Sequence, residues 1–358
     1  MFVKRLKLRN FRNYSYANVE LNPHMNVISG NNAQGKTNLL ESLVYLSLTR
    51  SHRLAKDGML IKEGKPFSNI SCVLEDDGIE RELEAVIYDK GKTLMIHHQP
   101  VKRSSEFVGI LNTVLFSPDD LTIFTDAPGD RRRLMNQEIA KVSNKYLLAL
   151  NHDQSLLKER NLLLKNDHPD MQLLHTFDEQ LSSEEYVIIT ERKKFVQEIN
   201  RYLSSLYQKL SDESTVVTMQ YKCCMDAEVT KEALISMHQN ALENDKFRKS
   251  TTTGVHHEDL IFLMDGENLI QRASQGQKRM TVLAFKMALM NYIRNTTGKV
   301  PVLLLDDVLS ELDDTRQKKL IDMISGTYQC LITTVNVPPY LKDKERTEFH
   351  ISHGTIVL

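Results

Sequence analysis

The segment Gly30-Asn31-Asn32-Ala33-Gln34-Gly35-Lys36-Thr37 has the spacing G-x-x-x-x-G-K-[ST]. Glycines at its two ends let the backbone curl so that successive N–H groups face one phosphate group. A helix starting at Lys36 would add the partial positive charge of its N-terminus, with Asn38 in the first turn. In such a loop the Lys36 ammonium reaches the β- and γ-phosphates of a nucleoside triphosphate such as ATP, and the Thr37 hydroxyl ligates Mg2+. A glycine-rich turn without chemistry could share this composition. The strand pattern Met25–Ser29 before the loop and the helical pattern Lys36–Thr49 after it favour the phosphate cradle.

Two later segments complete the chemistry. Leu303-Leu304-Leu305 is an apolar strand ending in Asp306-Asp307. Asp306 would hold Mg2+ through water, and Asp307 stands where a base could orient an attacking water. Ser274-Gln275-Gly276-Gln277 opens a helical pattern, Lys278–Tyr292. In isolation Ser274 is as easily an ordinary N-cap. Its position shortly before the Leu303–Asp307 strand favours a second anion cradle. Ser310-Glu311-Leu312-Asp313 closely follows the two acids.

Other candidates are weaker. Arg5, Lys7 and Arg9 share one face of a strand; Arg50 and Arg53 follow the first helix; Arg131, Arg132 and Arg133 form a run. Each set could be a solvated surface or a sequence-independent phosphate contact. His256-His257 could be a hydrogen-bonded turn or part of the nucleotide site. The net charge of −1 gives no global attraction to nucleic acid, so any such contact must be a local patch. Cys72, Cys223, Cys224 and Cys330 show no zinc spacing and read as free or buried thiols. No apolar run approaches the ~20 residues of a membrane helix, and Phe2-Val3-Lys4-Arg5 has a strand pattern, not that of a signal peptide.

A chain of 358 residues is long for one core and suggests two lobes. Strand patterns with one clear helix fill residues 1–122. The texture turns helical and highly charged beyond Asp126-Ala127-Pro128-Gly129. Phe195, Ile199, Tyr202, Leu206 and Leu210 make the apolar stripe of a long helix, whose role is core packing. Asn166-Asp167-His168-Pro169 reads as a break between two antiparallel helices. The α/β texture returns after about Thr252. The expected architecture is α/β: a P-loop head from 1–122 and 250–358, with a mainly helical arm from 123–249 inserted between them.

These motifs together resemble the SMC-like branch of the ABC ATPases, and more narrowly the RecF family. The resemblance rests on Leu8-Arg9-Asn10-Phe11-Arg12-Asn13-Tyr14, the loop Gly30–Asn38, Phe116-Ser117-Pro118-Asp119-Asp120-Leu121, the Arg131–Arg133 triplet, Ser274–Gln277 as the ABC signature, and Leu303–Asp314. Two segments depart from the family's usual pattern, Gly254-Val255-His256-His257-Glu258-Asp259 and Leu134-Met135-Asn136, and the switch region Thr333-Thr334-Val335-Asn336 lacks the histidine common in transporter ATPases. No glutamine stands at the Q-loop position, Ser117–Asp120. The resemblance implies a bacterial cytoplasmic, nucleoid-associated ATPase that hydrolyses ATP slowly with DNA stimulation. It further implies an ATP-dependent homodimer that binds single-stranded and duplex DNA at gaps or junctions, and that works with RecR and RecO to load RecA. The alternative is the ATPase subunit of an ABC transporter, against which the missing switch histidine and the charged arm argue.

Overall fold

The computed structural model describes residues 1–54, 56–225, 228–341 and 344–357. The elements run, in chain order, as β1 (Phe2–Phe11), β2 (Tyr14–Glu20), β3 (Met25–Ser29), α1 (Lys36–Leu48), β4 (Phe67–Asp76), β5 (Ile79–Tyr88), β6 (Gly91–Ile96), β7 (Gln99–Pro100) and β8 (Thr113–Phe116). Next come α2 (Pro128–Ala140), α3 (Asn144–Leu163), α4 (Met171–Ser211), β9 (Val217–Lys222), α5 (Lys231–Arg248), β10 (Asp259–Met264), β11 (Glu267–Asn268) and α6 (Leu269–Arg272). The chain closes with α7 (Gln275–Thr297), β12 (Val302–Asp306), α8 (Asp314–Ile324), β13 (Cys330–Thr334), β14 (Thr347–Ser352) and β15 (Thr355–Val357). Among the described residues no helix is long and apolar enough to cross a membrane.

The chain divides into two compact units. The first comprises Met1–Leu121, Leu206–Glu213 and Arg279–Leu358; the second, Thr122–Ser205 and Ser214–Lys278. Residues 250–278, expected in the head, stand with the second unit because β10 pairs antiparallel with β9 and β11 there. Residues 206–213, expected in the arm, stand with the first.

The first unit holds two sheets. One is antiparallel, in the order β2-β1-β4-β5-β6-β7; the other runs β15-β14-β3-β13-β12-β8. In the second, β3, β8, β12, β13 and β14 are mutually parallel and only β15 is reversed. A parallel strand buried on both faces reads as an unbroken apolar run, and every residue of β12 is buried. Helix α1 touches strands of both sheets. Its sequence suggested one apolar side, Leu39, Leu40, Leu43 and Leu46; the helix also buries Glu41, Ser42, Val44, Tyr45 and Ser47. A helix covered on both sides has no free face to leave polar.

The second unit is mainly helical, and α3 and α4 run antiparallel. Their bonded pairs step in opposite directions: Tyr146 with Arg192, His152 with Glu184, Arg160 with Asp178. In the stripe on α4, Phe195, Ile199, Leu206 and Leu210 are buried. The core also encloses ions. Arg160, fully buried, binds Asp178 and Asp245 at 2.8 Å each, and donates to Thr251 Oγ1. Arg192 lies among Tyr146, Asn136, the carbonyl of Val255 and Glu258. Buried ions persist only when paired in this way.

Asp153 is buried in the same core. Burial, with Glu185 nearby, pushes the Asp153 carboxyl up from 3.8 to about 7. A carboxyl that holds its proton more tightly when folded stabilises the fold fully below its unfolded value, and that contribution is lost as pH rises toward about 7. Melting temperature should therefore fall as the pH is raised from about 5 to about 7. Asp153→Asn, similar in shape but uncharged, should flatten the decline. An undiminished slope in thermal melts of the variant would show that Asp153 is not its source.

Candidate functional site

The P-loop leaves the C-terminal end of β3, where ligands collect in open α/β sheets. Gly35, at φ +116°, is the N-cap of α1, and no side chain caps that end. The first N–H groups of α1 are therefore available to an anion. A Cβ at Gly35 would stand 2.6 Å from the Asn13 amide. Lys36 lies folded over the loop, its Nζ donating to the carbonyls of Gly30 at 2.6 Å and Asn31 at 3.0 Å. Burial pulls its pKa down, opposed by the charges of Asp307 and Asp306.

Strand β12 delivers the acids to this cation. Thr37 Oγ1 donates to Asp306 Oδ1 at 2.9 Å, and Thr333 Oγ1, at the end of β13, donates to the same oxygen at 2.8 Å. Burial raises the pKa of Asp306, against these two hydrogen bonds and the charge of Arg53. Asp307, at φ +52°, turns the chain off the strand, and its N–H is held by Thr333 Oγ1 at 2.9 Å. Asn32, Ala33, Lys36, Thr37, Arg53, Asp306 and Asp307 are among the residues lining a cavity of about 270 Å³. Thr37 and Asp306, side by side, are the donor set a hard divalent cation with bound phosphate would use.

Residues distant in sequence hold the loop. Asn13 Nδ2 donates to the Gln34 carbonyl at 2.7 Å, and its Oδ1 accepts from Asn38 Nδ2 at 2.9 Å. Tyr14 Oη donates to the Gly35 carbonyl at 3.0 Å. From the other end of the chain, the β14–β15 turn supplies two more bonds. The N–H of His353 reaches Gln34 Oε1 at 2.6 Å, and the N–H of Gly354 reaches the Gln34 carbonyl at 3.1 Å. Asn13 and Thr333 lie in segments that the sequence singles out without assigning them this role, and His353-Gly354 is not singled out.

The structure brings Lys36, Thr37, Asp306 and Asp307 together in the first unit. Ser274 lies in the second. There it forms a reciprocal cap with Gln277: Ser274 Oγ accepts from the Gln277 N–H at 3.2 Å, and Gln277 Oε1 from the Ser274 N–H at 3.0 Å. Ser274, Gln275 and Gly276 are exposed.

The family described as the RecF/RecN/SMC N terminal domain matches residues 2–347. The "DNA replication and repair protein RecF" of Listeria monocytogenes is 36% identical over 99% of this chain and 99% of its own length. The chain belongs to the RecF family. The solved structure of the recombination mediator protein RecF with ATP in the RecFOR pathway superposes with a TM-score of 0.92 at 31% identity, over 99% of this chain and 97% of that one. The Smc head domain of Pyrococcus furiosus, at 18% identity and a TM-score of 0.57, shares the fold. The fold class is accordingly that of an ABC-type ATPase head.

Against this RecF-family framework, the basic candidates separate. Arg131 pairs bidentately with Asp259, both bonds at 2.8 Å, and Arg132 donates to the Glu258 carbonyl at 2.6 Å. Arg133 of that run is exposed, whereas Arg131 and Arg132 are half-buried. Arg53 lines the cavity at the P-loop. Arg9 is exposed with its guanidinium 5.3 Å from the Phe67 ring centre, while Arg5 and Lys7 are half-buried on the same strand. Arg50 is exposed. His256 and His257 approach the Thr251 carbonyl in the second unit, in keeping with a hydrogen-bonded turn.

The C-terminal turn can be tested through Gly354. Its φ is +69°, and an added Cβ would stand 2.7 Å from the Asn13 carbonyl oxygen. Gly354→Ala should shift Asn13 and Gln34 and weaken nucleoside triphosphate binding about tenfold, which corresponds to about 1.4 kcal/mol. Gly64→Ala is the control, because Gly64 has a similar φ of +73° with nothing within 4 Å. Equal nucleotide affinity of the two variants in a fluorescence titration would remove the turn from the site.

Proposed function

We propose that this protein is an ATP-controlled DNA clamp that binds ATP in the P-loop, dimerises on it and hydrolyses it slowly. The observation that carries this is the convergence of Lys36, Thr37, Asp306 and Asp307 around one cavity, with Thr37 and Thr333 both bonded to Asp306. On binding, the Lys36 ammonium exchanges the carbonyls of Gly30 and Asn31 for β- and γ-phosphate oxygens. Loop amides and the start of α1 take the remaining phosphate charge. Thr37 and Asp306 would hold Mg2+, which would supply positive charge against the phosphates. Asp307 orients water for attack on the γ-phosphorus. Its side chain is one methylene shorter than a glutamate, consistent with slow turnover.

The second cradle, Ser274 to Gln277, belongs to the other compact unit. It closes on ATP held by a second copy of the chain, with Ser274 and the N–H of Gly276 on the γ-phosphate. Loss of that phosphate by hydrolysis releases the pair. DNA, single-stranded or duplex, is held through its backbone by exposed cations, with Arg9 and Arg133 the first candidates. The clamp acts at gaps or junctions with RecO and RecR to load RecA, a reading supported by the family resemblance and by a RecF relative described in the RecFOR pathway.

Sedimentation with gapped DNA present separates the parts of this proposal. Wild type should be dimeric in Mg-ATP and monomeric in Mg-ADP. Ser274→Arg should bind ATP through its intact P-loop yet stay monomeric. Asp307→Asn should dimerise more persistently, because its water is not activated. A wild type equally monomeric in both nucleotides, with ATP binding confirmed, would refute the clamp.

A further inference from the structure

The second unit contains a cluster that the nucleotide chemistry does not use. We propose that Cys223, Cys224 and Glu258 form a binding site for one soft divalent cation, zinc being the ion that fits the donors.

Strand register creates the juxtaposition. Lys222, the last residue of β9, pairs with Asp259, the first of β10. The chain therefore leaves the ladder with Cys223-Cys224 on one side and Glu258 on the other. A ligand atom from each of the three lies within 4.8 Å of the others. Zn–S bonds of ~2.3 Å and Zn–O bonds of ~2.0 Å in a tetrahedron require ligand atoms about 3.5–3.8 Å apart. The two cysteines are half-exposed, and the chain bends at Cys224. The sulfurs can thus close the remaining gap while the ladder stays fixed.

The carboxylate is already oriented. Glu258 is buried, and its Oε2 accepts from Arg192 and from the Tyr221 hydroxyl. Its Oε1 accepts the N–H of Cys224 at 3.1 Å, leaving that oxygen a second lone pair. Such outer partners fix a metal ligand in place. Charge also balances. Arg192 offsets Glu258, so exchanging two thiol protons for one divalent cation leaves the net charge of this enclosed cluster unchanged. Sulfur donors exclude Mg2+ and Ca2+, which keeps the site distinct from any nucleotide-bound metal. Half-exposure leaves the fourth position to water. The other two thiols, Cys72 and Cys330, are buried, and neither belongs to the cluster.

The test uses reduced, metal-stripped full-length protein titrated with Cd2+, which reports thiolate ligation by its ultraviolet charge-transfer band. The band should saturate at one Cd2+ per chain and fall progressively as excess Zn2+ competes for the site. Cys223→Ser and Cys224→Ser should each weaken binding by at least the ~10–100-fold seen on losing an outer partner. The double variant should lose the band. Cys72→Ala with Cys330→Ala should keep it, and melting curves confirm that each variant is folded. No saturable band in the wild type, or a band retained by the folded Cys223→Ser, Cys224→Ser double variant, would overturn the site.

Discussion

The carboxylate of Asp306 is the constraint on which the site depends. It sits at the end of an entirely buried strand, where an ionised group is costly unless its oxygens are bonded. Two hydroxyls, from Thr37 on α1 and Thr333 on β13, donate to one oxygen, and Arg53 contributes charge. The same contacts tie the P-loop helix, the acidic strand and the neighbouring strand into one frame. A phosphate-bound cation would meet a carboxylate that cannot turn away. Burying α1 between two sheets then fixes where the first helical amides point.

The loop itself is held by both ends of the chain. Asn13 and Tyr14 approach from the turn between β1 and β2, and His353-Gly354 from the last hairpin. All four meet Gln34 or Gly35. A glycine-rich loop loses much conformational freedom on ordering. Bonds to its carbonyls leave its N–H groups for the ligand, which is how such a loop can be preorganised without being filled.

What the sequence disclosed was local chemistry. The P-loop, the Leu303–Asp307 strand and the Ser274 turn each lie within a few residues, and their flanking periodicity showed which elements carry them. The antiparallel pair α3 and α4 was legible from the break at 166–169, and the stripe on α4 from its spacing. Long-range pairing was not legible. Nothing near residue 354 marks it as a neighbour of Asn13. Nothing in Arg131-Arg132-Arg133 distinguishes two side chains held by Asp259 and Glu258 from one facing water. Nothing before β10 shows that residues 250–278 follow β9 into the second unit. The cysteines carried no metal spacing because Glu258 reaches them through strand register.

In the proposed clamp each ATP is shared between the P-loop of one copy and the Ser274 turn of another. Mixing two inactive variants tests this sharing. Lys36→Ala lacks a working P-loop but keeps its signature turn; Ser274→Arg has the opposite defect. A mixed pair contains one site built from the two intact halves. Phosphate release should therefore be near zero for either variant alone and recover in an equimolar mixture. Turnover by Ser274→Arg alone at the wild-type rate, or a folded, DNA-bound mixture as inactive as its components, would contradict the shared site.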